Sequence, residues 1–373
     1  MYTLLTGRSS DQRLDPQNDR PADLRLAHVS EGWPILVPAM QEAVADGRDG
    51  CPTFSVVIAA FQAAGTLAEA IDSALAQTFP AAEVIVCDDG STDETADIAR
   101  SYGSAVRLVQ RRNGGEAAAK NTATQEAKGD FVAVLDADDV YAPRRLEAFA
   151  WLARRRPDLD VLVTNAYLTV AGQTVGTAYH EGWRFECVDQ PREILRRNFV
   201  LGLAAVRRRR WLDIGGFDES VRLTTDWDFF IRMLRTGSRA GLVDVPLAEY
   251  RLGPGTLSSD RVALVESRIA TLVRARARGG MSDSELQAVN VAISAQRREL
   301  LVRRARASLE SRNGGDARRH LLAIARDGGF SPSRRTAAVL AAGTPSLAGA
   351  WLRARSHGKV ELGTGAVLSR REP

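Results

Sequence analysis

Cysteine is scarce in this 373-residue chain, which has only Cys51, Cys87 and Cys187. No CxxC pair or histidine cluster lies near them, so neither a disulfide framework nor a structural zinc site is indicated, and a reducing cytoplasm is the expected compartment. Long apolar runs are missing too. None approaches the ~18 to 20 residues of a membrane span, and the N-terminus, carrying Arg8, Asp11, Arg13 and Asp15, has no signal-peptide core. Membrane contact is therefore expected to be peripheral at most, at the inner face. No charge sign dominates: 50 Lys and Arg face 46 Asp and Glu, a balance that argues against a nucleic-acid partner. The arginine runs at 154–156, 207–210 and 274–278 read as solvated faces. Familiar catalytic signatures are also absent. His180 is isolated, and no Ser-His-Asp or Cys-His set stands at recognisable spacing, which leaves hydrolase chemistry unsupported. The first strand-to-helix turn has neither GxGxxG nor GxxxxGK[ST], which disfavours a dinucleotide oxidoreductase and a P-loop enzyme.

What is present is ordinary globular composition, 45% hydrophobic and 26% charged, with room for one large domain and a smaller one. Residues 1–50 read as a loose, partly disordered arm with a helix-like stretch at Pro38 to Ala45. From Phe54 to Ala59 a β-branched apolar run has the form of a buried parallel strand. Thr66-Leu67-Ala68-Glu69 and Ser91-Thr92-Asp93-Glu94 have capping-box form, each leading into a helix, the first ended by Pro80. Strands are expected at Glu83 to Cys87, Ala105 to Val109 and Phe131 to Leu135. Helices are expected at Glu116 to Lys128 and from Pro143 through Arg155. This alternation predicts an α/β fold, a mainly parallel sheet flanked by helices, with ligands at the carboxyl ends of the strands. Asp88-Asp89 follows the second strand and Asp136 to Asp139 the fourth, so both acidic clusters should open onto one rim. Residues 51–261 are read as this catalytic domain. Residues 262–373 are read as an α-helical region, with helices at Ser284 to Leu309, Asp316 to Ala325 and Pro332 to Ala342, and as a surface for homo-oligomer formation.

Three carboxylates at Asp136, Asp138 and Asp139 on a strand-end loop repel one another unless a cation compensates. Hard oxygen ligands suit Mn²⁺ or Mg²⁺, ions that keep waters and share phosphate oxygens, so a bound diphosphate is the natural partner. The alternative is an exposed acidic turn ahead of a helix.

Ser55 to Phe61, Val84 to Asp93 and Leu135 to Asp139, in this order and spacing, resemble glycosyltransferase family 2, whose members have the GT-A fold. The resemblance continues through Asn113-Gly114-Gly115, Ala119-Lys120-Asn121, Gly215 to Glu219 and Asp226 to Arg232. It implies an inverting transferase that moves a sugar from a nucleoside diphosphate, a UDP-sugar in the first instance, to a hydroxyl of a glycan or lipid-linked glycan during cell-envelope or polysaccharide assembly. By this resemblance Ala59, Phe61 and Asp89 line the base pocket and Asp136 faces the ribose. Asp138 or Asp139 holds the metal, and Lys120 and Arg251 assist the phosphates or are simply solvated. Asp226 is the implied general base, although Thr225 stands where the family has Glu; Asp228 is the fallback, and helix N-terminal charge is the bland reading of both. Gly215, Gly216 and Trp227 are assigned to the acceptor side, against a plain tight turn and a packing tryptophan. Tyr250 through Ser258 resembles the family's closing loop. Processive relatives carry transmembrane helices and QxxRW, both absent here. The rivals are a noncatalytic nucleotide-sugar-binding scaffold of the same fold and a nucleotidyltransferase.

Overall fold

The computed structural model describes residues 50–253, 260–349, 359–361 and 367–369. The arm, apart from Gly50, lies outside the described residues, as do positions 254–258 of the segment resembling a closing loop. β1 (Phe54–Ala60), β2 (Glu83–Asp88), β3 (Arg107–Gln110) and β4 (Phe131–Asp136) run parallel in the order β3-β2-β1-β4. The sheet then continues through β8 (Ala205–Arg207), β6 (Val161–Val170), β9 (Ala240–Leu252) and the two-residue β5 (Val140–Tyr141), with β7 (Gln173–Thr177) beside β6. β8 is antiparallel to both neighbours and β5 and β7 are antiparallel to theirs, while β6 and β9 pair in parallel. The sheet is therefore mixed, and its parallel half is the part that the strand–helix alternation foretells.

The apolar run of β1 is continuous because both faces of the sheet are covered. Val56 and Ile58 enter one core with α1 (Leu67–Leu75) and α4 (Arg145–Arg155). Val57 points the other way, into a core with α3 (Glu116–Glu126) and α7 (Thr225–Arg235). At the amino end of the sheet the Phe54 ring meets those of Phe79, Phe131 and Phe149 at 6.0, 5.7 and 6.2 Å. Burying each such ring is worth about 1.5 to 3 kcal/mol.

Neither expected capping box forms. Thr66 makes no side-chain cap bond, and Glu69 pairs instead with Arg251 at 2.7 Å. Before α2 (Thr95–Ser101), Asp93 accepts from the Thr95 amide, while Ser91 Oγ accepts from the Gln62 amide. A capping box does form at Ser282 and Glu285, starting α9 (Asp283–Glu310). β3 begins two residues later than its apolar pattern suggests because Gly103 to Ala105 closes a 3-10 turn.

The change of core does not fall at residue 261. α8 (Arg261–Ala277) and the first half of α9 contribute Leu272, Ala275, Val289, Ala292 and Ile293 to the core that holds Phe229 and Phe230. A separate small core starts at Ala305 and Leu309 and joins α10 (Gly314–Arg326) to α11 (Pro332–Gly343). Among the described residues no helix is long and apolar enough to cross a membrane.

Candidate functional site

Strand order reverses at β1, between β2 and β4, which places a crevice at their carboxyl ends. Register aligns Ala59 with Cys87 on one side and Asp136 on the other, so Phe61, Asp89 and the Asp136 turn share one rim. Phe61 stands 54% exposed there, a large aromatic face left open beside the crevice. Asp88 is structural: it accepts from the Ser91 amide at 3.0 Å and from Gln110 at 3.2 Å. Asp89 is buried and heavily committed. It accepts from Arg111 at 2.6 Å, from the Gly115 amide at 2.7 Å and from the Gly114 amide at 3.1 Å. Asp89 thus fixes a guanidinium at the rim, a pairing not foreseen from sequence because Arg111 sits among unremarkable arginines.

The acidic turn is divided by exposure. Asp136 binds the Lys120 ammonium at 2.6 Å, and Glu116 binds the same ammonium from one helical turn away. Lys120 is buried, which overturns its reading as a solvated helix lysine. Burial pulls its pKa down, but the Asp136 and Glu116 carboxylates outweigh that and raise it above the ordinary range. Asp138 is exposed at the tip of the turn. Asp139 turns inward, 2% exposed; its Oδ1 accepts from the Arg251 amide at 2.8 Å. Its Oδ2 is buried with no hydrogen-bond partner among the described residues. Burial, then Asp136, pushes the Asp139 carboxyl well up. An orphaned hard oxygen beside a second exposed carboxylate fits a divalent cation. No three acidic, His or Cys side chains converge on one point among the described residues, so such an ion would need outside oxygens, as a diphosphate supplies. Arg251 itself directs its guanidinium to Glu69 and Glu249, at 2.7 and 3.4 Å. Its contact with the acidic turn is made by its backbone.

Asp226 lies in the first turn of α7. Its Oδ1 accepts from the Trp227 amide at 2.7 Å and its Oδ2 from Asn198 Nδ2 at 2.8 Å. Burial raises its pKa to about 6, with Glu116 and Lys120 among the charges it feels. A carboxylate so poised is ionised at neutral pH yet close enough to titration to accept a proton. Tyr250, on β9, feels Asp139, Asp136, Asp226 and Glu116 together, and burial drives its hydroxyl up. The rim and Asp226 therefore share one electrostatic neighbourhood.

Trp227, the fallback base Asp228 and the glycine pair are all taken up in packing. Trp227 is 3% exposed and donates its indole N–H to the Ile194 carbonyl at 2.7 Å, so it offers no platform. Trp211 is likewise enclosed against Phe217 and Phe229. Asp228 is fully buried between Arg232 and Arg278, each at 2.8 Å, and holds helices together. Gly215 and Gly216 have φ of 78° and 71°, and Arg232 donates to the Ile214 and Gly216 carbonyls. Asn121 closes the turn by pairing with both main-chain groups of Phe217, at 2.8 and 2.9 Å. The glycines serve a packed turn, with only Gly215 facing open space.

The profile described as Glycosyl transferase family 2 matches residues 55–210. An uncharacterized glycosyltransferase of Rickettsia prowazekii is 33% identical over 50% of this chain and 60% of its own length. The succinoglycan biosynthesis protein ExoU of Rhizobium meliloti is 34% identical over 50% of this chain and 58% of its own. The chain thus spans about 60% of the length of these relatives. Among solved structures, residues 1–349 of S. aureus TarS in complex with UDP-GlcNAc superpose with a TM-score of 0.55 at 16% identity, covering 85% of this chain and 96% of that one. That likeness bears on the fold alone.

Proposed function

We propose, from the match of residues 55–210 to the family described as Glycosyl transferase family 2, that the chain is a member of that family and transfers a sugar, with inversion, from a UDP-sugar to a hydroxyl of a glycan or lipid-linked glycan. Polysaccharide or cell-envelope assembly is the setting, with the enzyme facing the cytoplasm and touching membrane peripherally at most. The carrying observation is the Asp226 carboxylate, tethered at both oxygens with its pKa raised to about 6, in the field of the Glu116 and Lys120 charges that lead to Asp136 at the rim.

Phe61 supplies the stacking face for the base. Asp89 and Arg111 set an acceptor and a donor at one edge, a pattern that suits uracil, whose imide presents an N–H between two carbonyls. The ribose faces Asp136, which the Lys120 ammonium holds in place. Asp138 and the free oxygen of Asp139 are the groups that would hold Mn²⁺ or Mg²⁺; bound there, the ion supplies charge stabilisation for the departing diphosphate. On the other side, Asp226 takes the acceptor hydroxyl's proton as that oxygen attacks the anomeric carbon. The test is UDP release from a panel of UDP-sugars with and without Mn²⁺, alongside calorimetry with UDP. Asp226→Asn should abolish turnover and keep UDP affinity within about twofold. Turnover at the wild-type rate in that variant removes Asp226 as the base.

A further inference from the structure

Asn198 is absorbed by none of the motifs, yet its side-chain amide donates to Asp226 Oδ2 at 2.8 Å. We infer that Asn198 is the positioning residue of the general base, an inference that rests on the reading of Asp226 above. Asn198 lies just beyond α5 (Gln190–Arg196). Its own carbonyl oxygen accepts from the Val200 amide at 3.3 Å, which leaves the NH₂ end facing Asp226 Oδ2 at 2.8 Å. The orientation of the amide is thus set by its second partner.

The segment carrying Asn198 is held from several sides. Tyr179 Oη donates to the Phe199 carbonyl at 2.7 Å and accepts from the Leu201 amide at 3.3 Å. The Ile194 carbonyl of α5 receives the Trp227 indole from α7. The donor is therefore preorganised against the very helix that bears the base. The same segment passes the carboxylate again at Gly202, where an added Cβ would stand 3.8 Å from Asp226 Oδ2. Glycine there leaves the space beside Oδ2 open for an incoming hydroxyl.

A carboxylate's terminal torsion is broad. The Trp227 amide fixes Oδ1 only, and Asn198 supplies the second point that stops rotation. Its N–H also favours the ionised form. Around Asp226 stand Glu116 and Lys120 from α3, Arg268 from α8 and Tyr250 from β9. Together these groups set the field in which the carboxylate titrates.

The test uses the full chain labelled with [4-¹³C]aspartate, the Asp226 carbonyl signal being identified by its loss in Asp226→Asn. Titration from pH 4 to 9 should place the wild-type midpoint near 6. In Asn198→Ala it should rise by about one unit, the loss of one charged hydrogen bond. Asn198→Asp keeps the shape but substitutes a like charge, and should raise the midpoint further than Ala does. UDP release from UDP-GlcNAc at pH 7 should fall at least about twofold in Asn198→Ala, the ionised fraction dropping from about 0.9 to about 0.5, with UDP affinity unchanged. A folded Asn198→Asp whose midpoint matches wild type overturns the inference, as does wild-type UDP release from Asn198→Ala. Full turnover in Asp226→Asn is a different failure, since it refutes the base and leaves the titration standing.

Discussion

Replacing Gly216 by alanine separates a structural glycine pair from an acceptor-binding one. At φ 71° an L-residue carries a backbone cost of about 1 to 2 kcal/mol. The new Cβ would lie 2.4 Å from Asn121 Oδ1 and 3.1 Å from Trp211 Nε1, so Asn121 has to leave. Its two bonds to the Phe217 main chain go with it, each worth about 0.5 to 1.5 kcal/mol. The sum is about 2 to 5 kcal/mol. Gly215→Ala has a similar φ of 78° but meets nothing within 4 Å, so only the backbone part, about 1 to 2 kcal/mol, should appear. Urea unfolding followed by tryptophan fluorescence and by circular dichroism measures both. The difference between the variants, about 1 to 3 kcal/mol, is the Asn121 contribution. Equal stability of the two refutes the packing argument, and a stable Gly216→Ala with a weakened acceptor KM returns the turn to the acceptor side.

The pKa of Asp226 carries two signs. Activity should rise with pH through an acid limb near 6 as the base ionises. Because the folded value exceeds the unfolded one, the native state holds the extra proton between them. Stability should therefore fall by up to about 3 kcal/mol from pH 4 to 6, a fall absent in Asp226→Asn and measurable as Tm against pH. Lys120→Met leaves Asp136 and Glu116 without their common cation and should cost about 3 to 5 kcal/mol by urea unfolding. A cost below 1 kcal/mol would mean that the chain of charges relaxes into solvent. Asp138→Asn removes one of three mutually repelling carboxylates and should not lower Tm, yet it should cut the Mn²⁺-dependent part of UDP affinity at least about tenfold in calorimetry. Undiminished Mn²⁺ enhancement would strike Asp138 from the ligand set.

The parallel half of the sheet was legible because each strand is a short apolar run followed at once by turn chemistry, as at Cys87-Asp88-Asp89 and Leu135-Asp136. The antiparallel half was not. Val161 to Val170 and Ala240 to Leu252 mix polar and apolar residues, since β6 and β9 shift register at Thr164, Asn165 and Tyr167 and break any simple period. Within the site, Phe61, Asp136, Asp138 and Asp226 announced themselves by position after strands or at a helix start. Arg111 and Asn198 did not, because their importance comes from partners 22 and 28 residues away, at Asp89 and Asp226, and not from any local pattern. Trp227 and Gly216 misled for the opposite reason. Both lie inside the resemblance, but their neighbours Ile194 and Asn121 use them for packing.

β9 runs from the amino edge of the sheet, where Ala240 pairs with Val161, to the rim that carries the acidic turn. At its start Ala240 is clasped on both main-chain groups by Gln190, the first residue of the short helix that leads to Asn198. Near its finish the Arg251 amide pins Asp139. Its 13 residues carry register shifts against β6 at Thr164 to Tyr167, so where the Arg251 amide stands depends on those irregularities as well as on the strand's length. Lengthening or shortening it by one residue would turn every later side chain to the other face and carry the Arg251 amide away from Asp139 Oδ1, so the inward fold of the acidic turn is set by the length of a strand that begins at the opposite edge of the sheet.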